Sequence, residues 1–355
     1  MMGILDRYIG KTIFAATFLS LFILIGLSAI IKFVEQMKSV GQGSYDVWHV
    51  IYFVFLKMPI ELTAFFPMAA LIGALIGLGT LASSSELVVM QAAGISKLRI
   101  ATSVLKTAIP MVIAVMVLGE YVVPHTDKAA YSMRAEAKYG AQRVSNKYGV
   151  WAKDGDAFVS IGRMNTKAEL FDIRLYFFDQ GMKLERALVA RKGIHKKGSW
   201  LLTNTSSTSF KDNTTQTKLL DQYIWKTDLT PKKLEVILSD PDEMSMSDIH
   251  NYIVYLENND QDASLYWLSF WSKAVLPFTV VVMMLLSVSF IFGGLRSVSM
   301  GTRLILGIGS GFLFYVAGKL FGPVSLVFSL PPILGAIAPS FFVLAIALYL
   351  LKRQS

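Results

Sequence analysis

Six long apolar runs constrain this chain more than any other feature. They cover Ile13–Ile31, about Phe65–Leu81, Ile100–Val123, about Phe270–Phe292, Gly301–Phe321 and Ile333–Leu351. A bilayer is crossed by about 20 mostly apolar residues. In hydrocarbon every backbone N–H and C=O must find its partner inside the structure, so such runs fold as helices. Residues 124–267, between the third and fourth runs, contain no apolar stretch long enough to cross. The expected fold is therefore an α-helical membrane protein with six transmembrane helices. An all-β, jellyroll-like domain is inserted between the third and fourth. The divisions fall at 1–123, 124–267 and 268–355.

Charge assigns the sides. The formal net charge is +9. The insert is nearly balanced, with 20 Lys and Arg against 19 Asp and Glu, so the positive excess belongs to the membrane part. That placement speaks for topology and anionic lipid rather than nucleic acid. Six spans put both termini on one side. That side carries Arg7, Lys11, Lys97, Arg99, Lys106, Arg296, Arg303, Lys352 and Arg353, whereas the other carries Lys32, Lys38, Lys57, Lys273 and Lys319. By the positive-inside tendency the termini are cytosolic and the insert lies outside. Met1–Lys11 resembles the start of a signal peptide, but the apolar run that follows is too long and no small-residue cleavage site succeeds it. It reads as an uncleaved first span.

Between the spans, Asp46–Phe55 mixes polar and aromatic residues, as an interfacial helix does. Pro110 predicts a kink in the third span, and Pro124 is expected to end the membrane part. The insert opens with a polar helix, Asp127–Tyr139. Short runs follow at Val150–Ala152, Ala157–Ile161, Ile173–Phe178, Ala187–Ala190, Trp200–Thr205 and Tyr223–Trp225, punctuated by Gly, Asn and Asp. This is the spacing of an antiparallel sandwich, barrel or jelly roll. Trp151, Phe158, Ile161, Ile173, Leu175 and Phe177 alternate as inward-facing residues do; they fill a core or line a groove for acyl chains. Thr230-Pro231 and Asp240-Pro241 mark turns, and Ser247–Glu257 has a helical pattern.

Several chemistries lack residues to carry them. Cysteine is absent, which excludes disulfides, thiolate nucleophiles and Cys-ligated metals. His49, His125, His195 and His250 have no metal-binding spacing. No phosphate-binding Gly-x4-Gly-Lys motif or Gly-x-Ser-x-Gly elbow occurs. Gly307, Gly309 and Gly311 sit inside a span, where small residues permit close helix packing. No catalytic residue, metal or cofactor is expected.

Four features are candidates for function. Glu61 and Glu120 lie near span ends, either as members of a proton relay or at the headgroup boundary. Lys32 and Lys38 follow the first span on its outer side, with Glu35 between them as a ready partner. They are either snorkelling anchors or an anion site for a phosphate-bearing lipid headgroup, which Arg134 would join. The stretch Ser83–Gly94 separates the second and third spans. Ser83 and Glu86 have capping-box spacing and Gly94 suits a helix stop. This predicts a helix of about ten residues, far too short to cross, with Leu87, Met90 and Gln91 on one face. It is either a connector or a lever pushed from the cytosol.

Across essentially its whole length the chain resembles the LptF/LptG permeases of the lipopolysaccharide export system. The resemblance rests on Leu5-Asp6-Arg7-Tyr8-Ile9-Gly10-Lys11-Thr12, Phe66-Pro67-Met68-Ala69-Ala70-Leu71 and Ser85-Glu86-Leu87-Val88-Val89-Met90-Gln91-Ala92. It also rests on Trp151-Ala152-Lys153-Asp154-Gly155, Trp225-Lys226-Thr227-Asp228-Leu229-Thr230-Pro231 and Ser289-Phe290-Ile291-Phe292-Gly293. It implies a permease subunit of an ABC transporter that extracts lipopolysaccharide from the bacterial inner membrane. The subunit would pair with an LptF-like permease and sit on an LptB-like ATPase dimer. It would pass the lipid to LptC-like and LptA-like periplasmic bridge proteins. The insert would then be periplasmic, and ATP hydrolysis would belong to the separate partner. The stretch from Ser84 to Ala93 matches the family's coupling helix, so Glu86, Leu87 and Met90 would contact the ATPase. Lys32, Lys38 and Arg134 match positions near the lipid phosphates. One departure is Ile60, where the family often has a basic residue after the proline at Pro59; Lys57 is the candidate substitute. The reading without this resemblance is a membrane tether whose outer β domain binds a partner protein.

Overall fold

The computed structural model describes residues 3–139, 150–154, 157–164, 169–179, 181, 183–196, 198–211, 214–227, 229–231, 234, 240–292 and 300–352. Arg296 and Arg353, assigned above to the terminus side, lie outside the described residues, as do the motif positions Gly155, Asp228 and Gly293. The chain forms two compact units, one made of 1–32, 57–124 and 264–355, the other of 33–56 and 125–263.

Among the described residues six helices are long and apolar enough to cross a membrane. In chain order the first helices are α1 (Ile4–Met37), α2 (Val47–Ser83), the short α3 (Glu86–Ala92) and α4 (Lys97–Val117). A five-residue π turn, Leu118–Val122, leads from α4 into α5 (Val123–Tyr139). After the β strands come α6 (Met246–Asn258), α7 (Ser264–Phe292), α8 (Met300–Val327) and α9 (Pro332–Lys352).

One boundary differs from expectation. Asp46–Phe55 is no separate interfacial helix but the start of α2. Asp46 caps it, accepting a hydrogen bond from the His49 backbone N–H at 3.0 Å, which satisfies a donor that has no partner within the helix. Pro124 closes the 57–124 stretch of the first unit, at the expected position, although the helical backbone runs on through it. It stands second in α5, where the preceding π turn already breaks the regular ladder and a missing N–H costs little.

In the first unit α2 supplies the centre of the core through Phe66, Ala69, Ala70, Leu71, Ala74, Leu75 and Leu78, joined by Val104 and Val112 of α4 and Met283 and Met284 of α7. α1 keeps a broad exposed apolar face, including Phe14, Phe18 and Phe22, and α8 does likewise with Ile305, Phe312 and Leu313. Close approach explains the glycines. A methyl group at Gly73 would overlap the backbone and side chain of Thr17, so only glycine lets α1 and α2 meet there. Gly307 and Gly311 face Leu75 and Met68 of α2, whereas Gly309 faces open space. α2, α4, α7, α8 and α9 each carry an internal proline and α1 carries none.

The second unit contains one six-stranded antiparallel sheet: β1 (Val150–Asp154), β2 (Ala157–Met164), β3 (Glu169–Phe178), β4 (Leu184–Lys196), β5 (Ser199–Lys211) and β6 (Thr214–Lys226). Each strand pairs with the next in sequence, so the strands run as a meander. The expected runs all fall within these strands. The faces, however, are not as expected for two aromatics. Val159, Leu175 and Leu188 are in register on one face, with Ile161, Ile173 and Ala190 beside them, all buried. Trp151 opposes Ser160 and Phe158 opposes Tyr176, which puts both aromatics on the other face. Trp151 is 59% exposed and stacks on Tyr176, while Ala152 takes the inward position. Trp200 is fully buried and donates from Nε1 to the Leu229 carbonyl at 2.7 Å. α6 begins at Ser245, whose Oγ accepts from the Asp248 N–H, and it reaches β1 through Tyr255 Oη donating to the Lys153 carbonyl at 2.9 Å.

Candidate functional site

α3 begins differently from the capping box expected of Ser83 and Glu86. The N-cap is Ser85, held in the left-handed conformation at φ 59°, with no side-chain cap. Ser83 Oγ turns back to donate to the Thr80 carbonyl. Glu86, freed from capping, is taken by two hydroxyls. Ser84 Oγ donates to Oε1 at 2.9 Å and Tyr8 Oη donates to Oε2 at 2.7 Å. The other end matches expectation. Gly94 has φ +86°, the Ile95 N–H reaches the Met90 carbonyl at 3.0 Å and the Gly94 N–H reaches the Gln91 carbonyl at 3.0 Å. Those two bonds are a Schellman motif, which closes the helix by satisfying its last carbonyls. At seven residues α3 is about 10 Å long.

The face that the spacing pointed to turns inward. Leu87, expected as a contact for another subunit, is 3% exposed in the core of its own unit, and Met90 packs against that core. Side chains packed this way seat the helix on its own unit. Outward are Val88 and Val89, 51% and 66% exposed. Sequence reasoning missed this because Leu and Val are alike in hydropathy; what separates them is which way the short helix is rolled.

Sequence reasoning also missed the anchor beneath α3. Asp6, in the first turn of α1, is fully buried. Ser103 Oγ donates to Oδ1 at 2.5 Å, the Lys106 ammonium lies 2.9 Å from Oδ2, Arg99 lies 3.3 Å from Oδ1, and the Gly3 N–H donates at 3.1 Å. A buried carboxylate keeps its charge only with such compensation. The first turn of α1 is thus tied to α3 through Tyr8 and to α4 through Asp6. The only signal in the chain was an acid placed just before an apolar run, within the Leu5–Thr12 motif.

The second candidate group divides between the two units. Lys32, in the first unit, does not pair with Glu35. Its ammonium lies 2.8 Å from Glu61 Oε1, and Ser28 Oγ donates to Glu61 Oε2 at 2.6 Å. In the second unit Lys38 is exposed just past α1, and the Arg134 guanidinium lies 5.4 Å from the centre of the Phe53 ring. Beside it Lys138 lies over Tyr45 at 5.2 Å, and Tyr131 meets Phe53 edge-on. Lys57, the candidate substitute for the missing basic residue, is buried at 4% exposure. Glu120 falls in the π turn. Among the described residues no three His, Asp or Glu side chains gather as a metal site would need.

Six apolar helices, a capped surface helix between the second and third, and a β meander between the third and fourth define a multi-pass membrane subunit with a folded polar insertion. Residues 7–353 match the family described as the lipopolysaccharide export system permease LptF/LptG, and the chain belongs to that family. It is 47% identical, over 359 residues and 99% of both chains, to the lipopolysaccharide export system permease protein LptG of Escherichia coli K12. It is 46% identical to the protein of the same name from Haemophilus influenzae, over 100% of this chain and 99% of that one.

Proposed function

We propose that this chain is a non-catalytic permease half of an ABC transporter that lifts lipopolysaccharide out of the inner membrane and delivers it to a periplasmic bridge. The observation that carries this reading is family membership across residues 7–353, joined to a short exposed helix between two spans with a carboxylate at its start. The termini and α3 are cytosolic, and the β meander is periplasmic. An LptF-like permease completes the membrane part. An LptB-like ATPase dimer binds α3 through Glu86, Val88 and Val89, with Leu87 and Met90 seating the helix from behind. LptC-like and LptA-like proteins receive the lipid. Lys32, Lys38 and Arg134 meet its phosphates.

On this reading the ATPase moves α3 because the two nucleotide states offer it different contacts. α3 moves α1 and α4 because Tyr8, Asp6, Arg99 and Lys106 tie their ends together. The test uses the whole complex in lipid vesicles. Glu86→Ala is expected to leave assembly intact and ATP hydrolysis running while lipopolysaccharide release per ATP falls. Release at the wild-type ratio would overturn the coupling role. Lys32→Asp is expected to weaken lipid crosslinking at that position, and unchanged crosslinking would return Lys32 to the role of an anchor.

A further inference from the structure

We propose that Glu61 is a built-in competitor for Lys32, holding the ammonium between lipids and yielding it to a phosphate carried on a lipid. The inference rests on the reading above that Lys32 meets lipid phosphates, and adds the group that sets how tightly they are held.

Ser28 and Lys32 are four residues apart on α1 and so share a face. Both reach Glu61 on α2, and they engage different oxygens, Ser28 at Oε2 and Lys32 at Oε1. A carboxylate and an ammonium this close cancel each other's charge within a helical membrane unit, where a lone ion is costly. Yet the pair is not sealed. The Lys32 side chain is 27% exposed against 17% for Glu61, so an incoming anion approaches from the lysine side. Lysine is a point charge with three rotatable donors, free to swing between acceptors without a fixed fork geometry.

The exchange favours phosphate. A phosphate monoester carries about −1.5 to −2 at neutral pH against −1 for a carboxylate, and has three acceptor oxygens. Displaced Glu61 keeps the Ser28 hydrogen bond, which lowers the cost of losing its ion pair. A ligand carboxylate gains nothing in the exchange, because it only replaces one carboxylate by another. The pair is therefore selective for the more highly charged group. It also helps release: when the lipid is pushed away, Lys32 returns to Glu61 and is not stranded.

The test compares Glu61→Gln, which keeps size and the Ser28 contact but removes the charge, with Lys32→Met and the double variant, all in the assembled transporter in nanodiscs. The probes are bisphosphorylated lipopolysaccharide, its dephosphorylated form and excess inorganic phosphate. E61Q is expected to hold the bisphosphorylated lipid about threefold to tenfold more tightly and to release it more slowly on ATP, the size expected of one interhelical polar pair. The dephosphorylated lipid should be unaffected. The double variant should show no gain over K32M. Equal or weaker binding by E61Q, in a protein where K32M abolishes the phosphate preference, would overturn this inference alone. A phosphate preference that survives K32M would overturn the lipid reading beneath it. Abolition of the E61Q gain by inorganic phosphate would show a free-phosphate site and overturn the lipid-borne source.

Discussion

Replacing Gly94 isolates the backbone requirement that ends α3. Its φ is +86°, and a Cβ built there meets no atom within 4 Å. A substitution therefore creates no clash with its surroundings, and its whole cost is conformational. For an ordinary L-residue the left-handed region costs about 1–2 kcal/mol. Asparagine, whose short side chain tolerates that region, should cost less. A penalty of about 1–2 kcal/mol lowers the fraction of closed α3 termini by about 5- to 30-fold relative to open ones. The amides that report this are those of Gly94 and Ile95, bonded to Gln91 and Met90. Hydrogen exchange of the 83–98 segment in the assembled transporter should accelerate in the order Gly, Asn, Ala, Val. Lipid release per ATP should fall in the same order. Gly309 is the control: it also has open space around its Cβ, but it lies inside α8 without a positive φ. Gly309→Ala should be neutral or stabilising by up to about 1 kcal/mol. Equal exchange rates for Gly94→Ala and wild type, or Asn worse than Val, would refute the reasoning.

Gly73→Leu should prevent α1 from docking on α2, seen as loss of folded protein on size-exclusion chromatography, whereas Gly26→Leu, with nothing within 4 Å, should fold normally. Trp200→Phe should strand the buried Leu229 carbonyl and lower the stability of the β meander by about 1–3 kcal/mol, read by denaturant unfolding of the whole protein. The Asp46 carboxyl is held below the usual carboxylate range, first by the His49 backbone N–H and then by the His49 ring. A depressed folded-state value means its contribution is complete above the ordinary carboxylate range and lost as pH falls through the lowered value. Wild type and Asp46→Asn should therefore differ in thermal stability near neutral pH and converge in strong acid.

The spans and strands were legible because their signals are local. Run length identifies a membrane helix and alternation identifies a strand, and neither needs a distant residue. What failed needed information from elsewhere. Trp151 and Phe158 fit an inward alternation only when each run is taken alone; the register between paired strands decides the face, and it favours Ala152 and Val159. Ser83 and Glu86 had the right spacing for a capping box, yet Ser85 took the left-handed turn and Tyr8, 78 residues away, took the carboxylate. Lys32 looked toward Glu35 in sequence, but in a helix residues three apart are no closer than what another helix brings, and α2 brought Glu61. Leu87 shares the short helix α3 with Val88 and Val89, but the roll of that helix turns it into the core of its own unit and leaves the two valines outside.

The absence of proline from α1 has a mechanical meaning. Without an internal break every residue keeps its bond to the preceding turn, and the helix pivots as a stiff crank rather than flexing at a joint. From Tyr8 to Lys32 the arm is about 36 Å, so a pivot of about 10° at the Tyr8 end sweeps the far end through about 6 Å. That sweep is twice the 2.8 Å separation between Lys32 and Glu61. A small turn at the foot is enough to engage or part the two charges at the tip.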